Sequence, residues 1–384
     1  MRFEFATATR VIFGQGVIQE VASLAAAIGT RAFVITGRAT LRAGQLFEQL
    51  EKQGISRVSF SVAEEPTAAL VKEGVKKARE AECDLVIAIG GGSVLDTGKA
   101  VAAMLTNSGD LEDYLEVVGS GKAISMSPAP VIAIPTTSGT GAEVTGNAVL
   151  GLPEYGIKVS LRSQLLLPRL SVVDPLLTHS LPQSLTATTG LDALTQLIEA
   201  YVSNKANPLT DSICQEGIKR AGRSLRRAYE NGSDPAARED MSLASLFSGL
   251  ALANAKLGAV HGLAGVLGGM LCAPHGAICA RLLPLVMGKN IQALESREPG
   301  SPALDRYEDI ARLLTGSSTA GRDDGLDWVE NLCVALKVPP LRDFGLKKLD
   351  FTAVIAKAQK ASSMKGNPVT LSDKELMEIL EKGI

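Results

Sequence analysis

The sequence has few of the residues that mark specialised protein classes. Only 4% of its 384 residues are aromatic, it contains three histidines, and its five cysteines include no Cys-x-x-Cys pair. The odd number of cysteines favours free, buried thiols in a reducing compartment. No run of about 18 apolar residues is present, so we expect no transmembrane helix and no membrane partner. The first residues lack the apolar stretch of a signal peptide, and we therefore predict a cytoplasmic protein.

An excess of charge of either sign is also missing. The chain has 39 Lys and Arg residues against 41 Asp and Glu residues, a formal net charge of −2. Proteins that bind nucleic acid by neutralising phosphates need a basic face, so we predict no nucleic-acid partner. A small-molecule substrate or cofactor, including an anionic one, is compatible with this charge balance.

Short apolar runs alternate with helical stretches in the first half of the chain. Strand-like runs are followed by segments with helical periodicity, such as Leu41–Gln53 and Ala68–Ala81. This alternation predicts a parallel sheet that is covered by helices on both faces. The strand-like runs are Arg31–Thr36, Val58–Val62, Asp84–Ile89 and Pro130–Ile134.

The pattern changes near Pro182, which suits the start of a helix. From there the sequence has long helical stretches and almost no strand pattern. We therefore predict two domains, an α/β domain at residues 1–180 and an all-helical domain at residues 181–384. The clearest helical stretches are Ser184–Ser203, Pro208–Asn231, Ala236–Asn254 and Tyr307–Leu314.

A glycine-rich loop follows the third predicted strand. The run Gly90, Gly91, Gly92 and Ser93 leads into a helix that carries Asp96. Glycines permit positive φ angles and close approach of the backbone to a ligand, and a helix N-terminus favours a phosphate. The spacing differs from the G-x-G-x-x-G dinucleotide motif. We predict a phosphate-binding loop, the alternative being a simple tight turn between strand and helix.

A second loop, Pro135–Glu143, follows the fourth predicted strand. It combines glycines with hydroxyl groups that can donate to a phosphate, a ribose or a carboxamide. Open α/β sheets bind ligands at the carboxyl ends of their strands, so two such loops favour a nucleotide site. The alternative is a surface loop rich in Ser and Thr. The hydroxyl groups belong to Thr136, Thr137, Ser138 and Thr140.

Two of the three histidines, His261 and His275, are separated by 14 residues. One continuous helix would place them about 21 Å apart, too far to share a metal ion. We predict that Gly268–Gly269 and Pro274 break the helix, so that the two rings can converge. The third histidine, His179, is predicted to be a surface turn residue.

Asp192 and Gln196 are four residues apart and share one face of a predicted helix. An Asp–His–His set with an open position suits a catalytic divalent metal. The alternative is that each histidine is only a hydrogen-bonded helix or loop residue. Cys272 and Cys279 flank His275, and their apolar surroundings favour a role in core packing.

Taken together, these motifs resemble the iron-containing (group III) alcohol dehydrogenase family over nearly the whole chain. The resemblance implies a dehydroquinate synthase-like fold, with an α/β N-terminal Rossmann-like domain and an all-helical C-terminal domain. It also implies NAD or NADP as cofactor, a homodimer, and hydride transfer between a small alcohol and its aldehyde or ketone. The matching segments are GGGSVLDTGK, PTTSGTGAEVT, VVDPLLTHSLPQSLTATTGLDALTQLIEAYVS and VHGLAGVLGGMLCAPHG.

The resemblance also implies a metal site formed by one Asp and three His. Asp192, His261 and His275 match three of these ligands, whereas Gln196 occupies the position of the remaining histidine. Gly265 stands where the family has a further histidine near the substrate. Three arrangements are open: iron or zinc on the three matching residues, the same site with Gln196 added, or no metal. Without metal, His261 or His275 would be the catalytic proton donor.

The cofactor contacts implied by the resemblance include Lys158, which matches a lysine that faces the cofactor. Gly37 and Arg38 stand where NAD-selective members often carry an aspartate, so we expect NADP to be accepted. Three other functions are open: a metal-independent maleylacetate-type reductase, an NAD(P)-binding protein without turnover, and a dehydroquinate-synthase-like lyase. The lyase would need several basic residues near its substrate, and Lys256 is the only obvious candidate.

Overall fold

The computed structural model describes residues 1–38, 43–271 and 273–384. The chain folds into two compact units. The sheet unit comprises Ala6–His179, and the helical unit comprises Met1–Phe5 with Ser180–Ile384. Cys272 and the first residues of the helix predicted at Leu41–Gln53 lie outside the described residues.

The sheet unit is built on a parallel sheet, as predicted. Six of its strands lie in the order β1-β8-β5-β4-β2-β3, and every neighbouring pair is parallel. The other two strands, β6 and β7, form a separate antiparallel hairpin. The strands are β1 Val11–Phe13, β2 Arg31–Thr36, β3 Ser56–Ser61, β4 Leu85–Gly90, β5 Val131–Pro135, β6 Asn147–Leu152, β7 Ile157–Arg162 and β8 Leu170–Val173.

Strand β2 shows why this sheet needs helices on both faces. Its side chains alternate, so that Val34 packs into one apolar core while Phe33 and Ile35 pack into another. Burial of successive apolar residues on both faces is typical of a parallel sheet between two helical layers. The helices of this unit are α1 Val21–Ala26, α2 Gly44–Lys52, α3 Ala68–Glu80 and α4 Gly92–Thr106.

The predicted strands agree with the structure to within two residues at each end, but the prediction missed four strands. β1 and β8 are only three and four residues long, too short to show a period. The buried positions of β6 alternate along the strand, yet apolar residues such as Val149 occupy the less buried positions as well. Without a clear contrast between the two faces, the alternation is hidden in the sequence.

The helical unit contains no strand among its described residues, which confirms the predicted all-helical character. Its second helix, α6, begins at Pro208, the first residue of the predicted stretch Pro208–Asn231, and the Asn207 side chain accepts from the backbone N–H groups of Leu209 and Thr210. The helices are α5 Gln183–Val202, α6 Pro208–Glu230, α7 Pro235–Asn254, α8 Ala259–Met270, α9 His275–Arg297, α10 Pro302–Thr315, α11 Arg322–Ala335, α12 Phe351–Ala358 and α13 Asp373–Gly383.

No single helix in the described chain is both long enough and apolar enough to span a membrane. Helices α7 and α8 reach that threshold only when taken as a pair, and the short break between them bends the path by 96°. This test depends on length and composition alone.

The break between the two site histidines differs from the prediction. Gly268 and Gly269 lie inside α8, and the helix ends only after Met270. A glycine costs a helix about 1 kcal/mol relative to alanine, a penalty that tertiary packing can offset, and Gly268 is buried. Pro274 is different because it cannot donate to a preceding turn, and it directly precedes α9.

Candidate metal centre and nucleotide loops

The two glycine-containing loops are neighbours, as predicted. β4 and β5 are adjacent parallel strands whose register pairs Gly90 with Pro135, so both loops begin at the same edge of the sheet. The backbone N–H of Thr136 donates to the carbonyl oxygen of Gly90 at 2.9 Å. Helix α4 starts at Gly92 and therefore directs its N-terminal N–H groups toward the same edge. This is the geometry in which α/β proteins bind phosphates.

The three glycines have ordinary backbone angles, and two of them, Gly90 and Gly92, allow close packing. None of Gly90, Gly91 and Gly92 has a positive φ, which corrects the expectation based on glycine flexibility. A Cβ atom at Gly92 would lie 2.9 Å from Oγ1 of Thr140 in the second loop. Glycine is therefore required at this position because the two loops touch each other there.

Asp96 and Lys99 connect the first loop to the second. The buried Lys99 Nζ donates to the Ala142 carbonyl oxygen at 2.9 Å and to Thr145 Oγ1 at 3.1 Å. It also lies 2.9 Å from Asp96 Oδ1, while Asp96 Oδ2 accepts from the Val149 N–H at 2.9 Å. Asp96, predicted to contact the cofactor, thus holds the hairpin strand β6. The contribution of Lys99 was missed, although its spacing from Asp96 on one helix was visible.

The remaining predicted residues of the two loops differ in exposure. Thr136 and Ser138 are buried, whereas Ser93, Thr137 and Thr140 are half-buried along with Gly91 and Gly92. The half-buried hydroxyl groups are the ones that a ligand at this edge could reach.

Glu143, at the end of the second loop, is fully buried. Burial raises the pKa of its carboxyl group to about 7, and the charge of Lys99 offsets only part of this shift. The folded protein therefore holds a proton on Glu143 in a pH range where the unfolded chain has already released it. The contribution of this raised pKa to the free energy of unfolding is complete below pH 4.5, the ordinary pKa of the group. It is lost as the pH rises toward 7.

We expect Glu143→Gln to stabilise the protein, relative to the wild type, more at pH 8 than at pH 5. Glutamine is a neutral side chain of the same shape as the protonated glutamate. The difference in free energy of unfolding between variant and wild type should grow by about 2 to 3 kcal/mol across that range. Urea midpoints at the two pH values measure this change. A difference that does not depend on pH would mean that Glu143 is ionised in the fold.

Gly37 and Arg38 follow β2 at the same edge of the sheet. Among the described residues, a Cβ atom at Gly37 would approach only Val94, at 3.8 Å, so a side chain can begin there without a clash. The exposed Arg38 donates from Nε to the Ala63 carbonyl oxygen at 2.6 Å, and its Nη2 lies 3.6 Å from Glu64 Oε1. Its guanidinium thus retains donors that face solvent.

Lys158 lies on β7 and forms an ion pair with Glu65. Its side chain is only 18% exposed, so it is not a solvated surface lysine.

Helices α5, α8 and α9 bring together the residues of the predicted metal site. Asp192 and Gln196 are buried on one face of α5, His261 is buried on α8, and His275 is the first residue of α9. A Cβ atom at Gly276 would lie 2.4 Å from the Thr188 carbonyl oxygen. Because position 276 is glycine, the start of α9 can approach α5 closely enough for His275 to reach Asp192.

The ligand atoms of this cluster are within a few ångströms of one another. Asp192 Oδ1 lies 3.4 Å from His261 Nε2 and 3.9 Å from His275 Nε2, and the two imidazole centroids are 5.4 Å apart. The predicted convergence of the two rings is therefore confirmed. Although it lies so near both rings, the buried Asp192 Oδ1 accepts no hydrogen bond.

Cys279 is a member of this cluster that the sequence analysis assigned to core packing. Its Sγ lies 3.5 Å from His275 Nε2 and 3.7 Å from His261 Nε2. One ligand atom from each of Asp192, His261, His275 and Cys279 falls within 4.8 Å of all the others. The available clue was the spacing of four residues between His275 and Cys279, which on a helix puts both on one face.

The two positions that depart from the family pattern have different surroundings. Gln196 donates from Nε2 to Asp192 Oδ2 at 3.4 Å, while its Oε1 is buried without a hydrogen-bond partner. Gly265 is exposed on α8, with no heavy atom within 4 Å of a Cβ placed there. His179 lies at the end of a turn, as predicted, and is half-buried, with its Nε2 buried.

Glu199 contacts His261 on the side of the ring away from the cluster, and the sequence analysis did not predict it. Its Oε2 lies 2.7 Å from His261 Nδ1, and its Oε1 accepts from the Val260 N–H at 2.7 Å. A carboxylate that accepts from Nδ1 leaves the Nε2 lone pair of the same ring available for a metal. Glu199 lies seven residues after Asp192, or two helical turns, which places both on one face of α5.

Burial and neighbouring charges shift the pKa values in opposite directions. Burial alone would raise the pKa of Asp192, but the contacts with His261 and His275 hold it below its usual value. Burial lowers the pKa of His261, yet Cys279, Asp192 and Glu199 together keep it well above the usual imidazole value. Burial raises the pKa of the Cys279 thiol to about 12.

The donor set fits a divalent metal ion. Imidazole nitrogens, a carboxylate oxygen and a thiol are the ligands that zinc and related ions bind in proteins. One buried oxygen of this cluster, Asp192 Oδ1, accepts no hydrogen bond from the described residues. Buried polar atoms in proteins normally have a partner, and a metal ion would supply one here.

Comparison with known families identifies the family of the chain. The model of the iron-containing alcohol dehydrogenases matches residues 8–175, and that of the C-terminal region of the Fe-containing alcohol dehydrogenase family matches residues 186–384. The 1,3-propanediol dehydrogenase of Klebsiella pneumoniae is 34% identical over 99% of this chain and 98% of its own length. Alcohol dehydrogenase 4 of Schizosaccharomyces pombe is 35% identical over 97% of this chain and 87% of its own.

Solved structures give the same result. A crystal structure of 1,3-propanediol oxidoreductase superposes with a TM-score of 0.92 at 32% identity and covers 100% of both chains. The sulfoacetaldehyde reductase of Bifidobacterium kashiwanohense, solved in complex with NAD+, has a TM-score of 0.87 at 27% identity, covering 100% of this chain and 99% of its own. The chain therefore belongs to the iron-containing alcohol dehydrogenase family and is an NAD(P)-dependent alcohol oxidoreductase.

Proposed function

We propose that Asp192, His261 and His275 hold the catalytic divalent metal and that the two loops bind the diphosphate of NAD(P)(H). The observation that carries this proposal is the cluster of Asp192, His261 and His275, in which the buried Asp192 Oδ1 has no hydrogen-bond partner among the described residues. Residues 181–384 would then form the metal and substrate domain, and residues 1–180 the dinucleotide-binding domain.

A metal held by Asp192, His261 and His275 would supply Lewis acidity at the substrate oxygen, and the nicotinamide would supply or accept the hydride. The residues of the chain prepare this chemistry. Glu199 orients His261, and the close contact at Gly276 sets His275 beside Asp192. Gly91, Gly92, Ser93, Thr137 and Thr140 line the edge where the N-terminus of α4 favours a phosphate.

We infer that the substrate is a small alcohol or its carbonyl counterpart. The relatives are named as alcohol and 1,3-propanediol dehydrogenases, which act on substrates of this class. We also expect a cytoplasmic homodimer, and the thiols found free in the described chain agree with a reducing compartment.

Metal analysis with a chelator test is the direct experiment. We expect about one divalent ion per chain, loss of NAD(P)H-dependent carbonyl reduction on chelation, and recovery when metal is returned. Full activity in metal-free protein would instead support a maleylacetate-type reductase. Nucleotide binding without turnover of any alcohol or carbonyl would support a protein that has lost catalysis.

Arg38 is expected to favour NADP(H), because its exposed guanidinium can pair with a 2′-phosphate. Arg38→Ala should raise the KM for NADPH about tenfold, the equivalent of roughly 1.4 kcal/mol, and leave the KM for NADH nearly unchanged. Gly37→Asp should act in the same direction by repelling the phosphate.

Arg31→Ala is the matched control, since Arg31 begins the strand that Arg38 follows and pairs with Glu82 at the opposite edge. It should change neither KM. If Arg38→Ala raised the KM for NADPH and the KM for NADH equally, Arg38 would not contact the 2′-phosphate.

A further inference from the structure

We propose that the Cys279 thiolate is a fourth ligand of the metal and that the resulting Asp192–His261–His275–Cys279 set selects zinc over iron. The proposal rests on the metal site of the proposed function. It assigns to Cys279 the coordination position for which the family supplies a third histidine, and to Gln196 a supporting contact with Asp192.

Four of the six separations between the ligand atoms lie within about 0.5 Å of those around a single tetrahedral ion. With bonds of about 2.3 Å to sulfur and about 2.0 to 2.1 Å to nitrogen or oxygen, a tetrahedral ion separates sulfur from nitrogen by about 3.6 Å and nitrogen from oxygen by about 3.4 Å. In the structure Cys279 Sγ lies 3.5 and 3.7 Å from the two Nε2 atoms. Asp192 Oδ1 lies 3.4 and 3.9 Å from the same nitrogens.

The helices fix this arrangement. Cys279 lies one turn after His275 on α9, is fully buried, and projects from the same face. Asp192 is held on α5 and His261 on α8, and Glu199 orients the ring of His261. The sulfur reaches the cluster without any change of helix packing, because its contacts with both imidazoles are already present.

Gln196 has a contact of its own with the carboxylate. Its amide Nε2 donates to Asp192 Oδ2, the oxygen that does not face the two rings. That contact orients Asp192 with Oδ1 toward the histidines, which is a supporting role. A glutamine ligand would give a donor set without sulfur, so the two assignments differ in a property that spectroscopy measures.

The chemical consequence is a softer site. Thiolate is a softer ligand than a carboxylate or carbonyl oxygen, and soft ligands suit zinc better than they suit harder ions. Zinc sites that combine Cys with His are common. An Asp and three His would lack this preference. The zinc-to-iron affinity ratio of the protein should therefore depend on the sulfur of Cys279.

Cobalt substitution of the full-length protein tests the assignment without any measurement of activity. Metal-free protein reloaded with Co²⁺ should show a sulfur-to-cobalt charge-transfer band in the near ultraviolet together with visible d–d bands. Cys279→Ser should lose the charge-transfer band and keep the d–d bands. Cys333→Ser, which replaces another buried thiol, should keep both.

Two outcomes contradict the proposal in distinguishable ways. Wild-type protein that shows d–d bands without the charge-transfer band binds metal through nitrogen and oxygen alone, which overturns the role of Cys279 and leaves the proposed function intact. Wild-type protein that binds no cobalt overturns both.

X-ray absorption of the zinc-loaded wild type gives a second result that does not depend on the folding of a variant. It should show one sulfur neighbour at about 2.3 Å, and a shell of nitrogen and oxygen only would overturn the proposal. For selectivity, Cys279→Ser should lower the zinc-to-iron affinity ratio, and an unchanged ratio would contradict the preference for zinc.

Discussion

Asp192→Asn is expected to abolish stoichiometric metal binding and to lower kcat/KM by about 10³-fold. The carboxylate is the only anionic oxygen in the cluster defined by Asp192, His261, His275 and Cys279. Its neutral amide copy is a poorer ligand for a divalent ion, and the Lewis-acid contribution that is lost is worth several kcal/mol. Metal content and steady-state kinetics of carbonyl reduction measure the two effects.

Thermal stability separates this loss from misfolding. In chelator, Asp192→Asn should still unfold cooperatively, at a Tm somewhat below that of the wild type, because the contacts with His261 and His275 that hold the pKa of Asp192 below its usual value also stabilise the wild-type fold. Added zinc should raise the Tm of the wild type but not that of the variant, because only the wild type binds the ligand in its folded state. A variant that retains one metal ion and full turnover would remove Asp192 from the proposed site.

Glu199→Gln is expected to weaken metal binding by about 10- to 100-fold, the usual effect of losing a partner behind a histidine ligand. The native carboxylate contacts both the Val260 N–H and His261 Nδ1, each at 2.7 Å. A glutamine has only one acceptor oxygen, so its NH₂ group would face one of these two partners. If it faces Nδ1, the imidazole proton moves to Nε2, and the lone pair that should bind the metal is lost.

Glu216→Gln provides the control for this variant, since Glu216 is a solvent-accessible residue of α6 that pairs with Arg220. It should bind metal as the wild type does. Metal affinities from competition with a chromophoric chelator compare the three proteins. If Glu199→Gln and the control bind metal equally well, Glu199 has no part in orienting His261.

Local sequence patterns predicted the sheet unit well where the chain is regular. The strand at Arg31–Thr36 and the helix beginning at Ala68 were predicted at their observed starts, because the apolar spacing there matches a single period. The prediction failed where that spacing is short or mixed, at β1, β8 and the β6–β7 hairpin. It also failed at Gly268–Gly269, where packing offsets the low helical propensity of glycine.

The candidate site was predicted to the extent that its residues share a local motif. Asp192 and Gln196 were paired by their helical spacing, and the two nucleotide loops by the strands that precede them. Glu199 and Cys279 were missed, although each lies at helical spacing from a predicted ligand. This spacing shows only that they share a helix face with that ligand. Many other buried residues of a core helix also share a face with a ligand, so the spacing does not single them out.

The order of motifs along the chain was sufficient to indicate the family, the two-part architecture and an oxidoreductase chemistry, because each depends on short segments whose pattern is local. The composition of the metal cluster is not local. It depends on how closely α9 approaches α5 at Gly276, and on which atoms of three separate helices then face one another. Distances of 3.4 to 3.9 Å between those atoms follow from tertiary packing alone, and they bring Cys279 into the cluster.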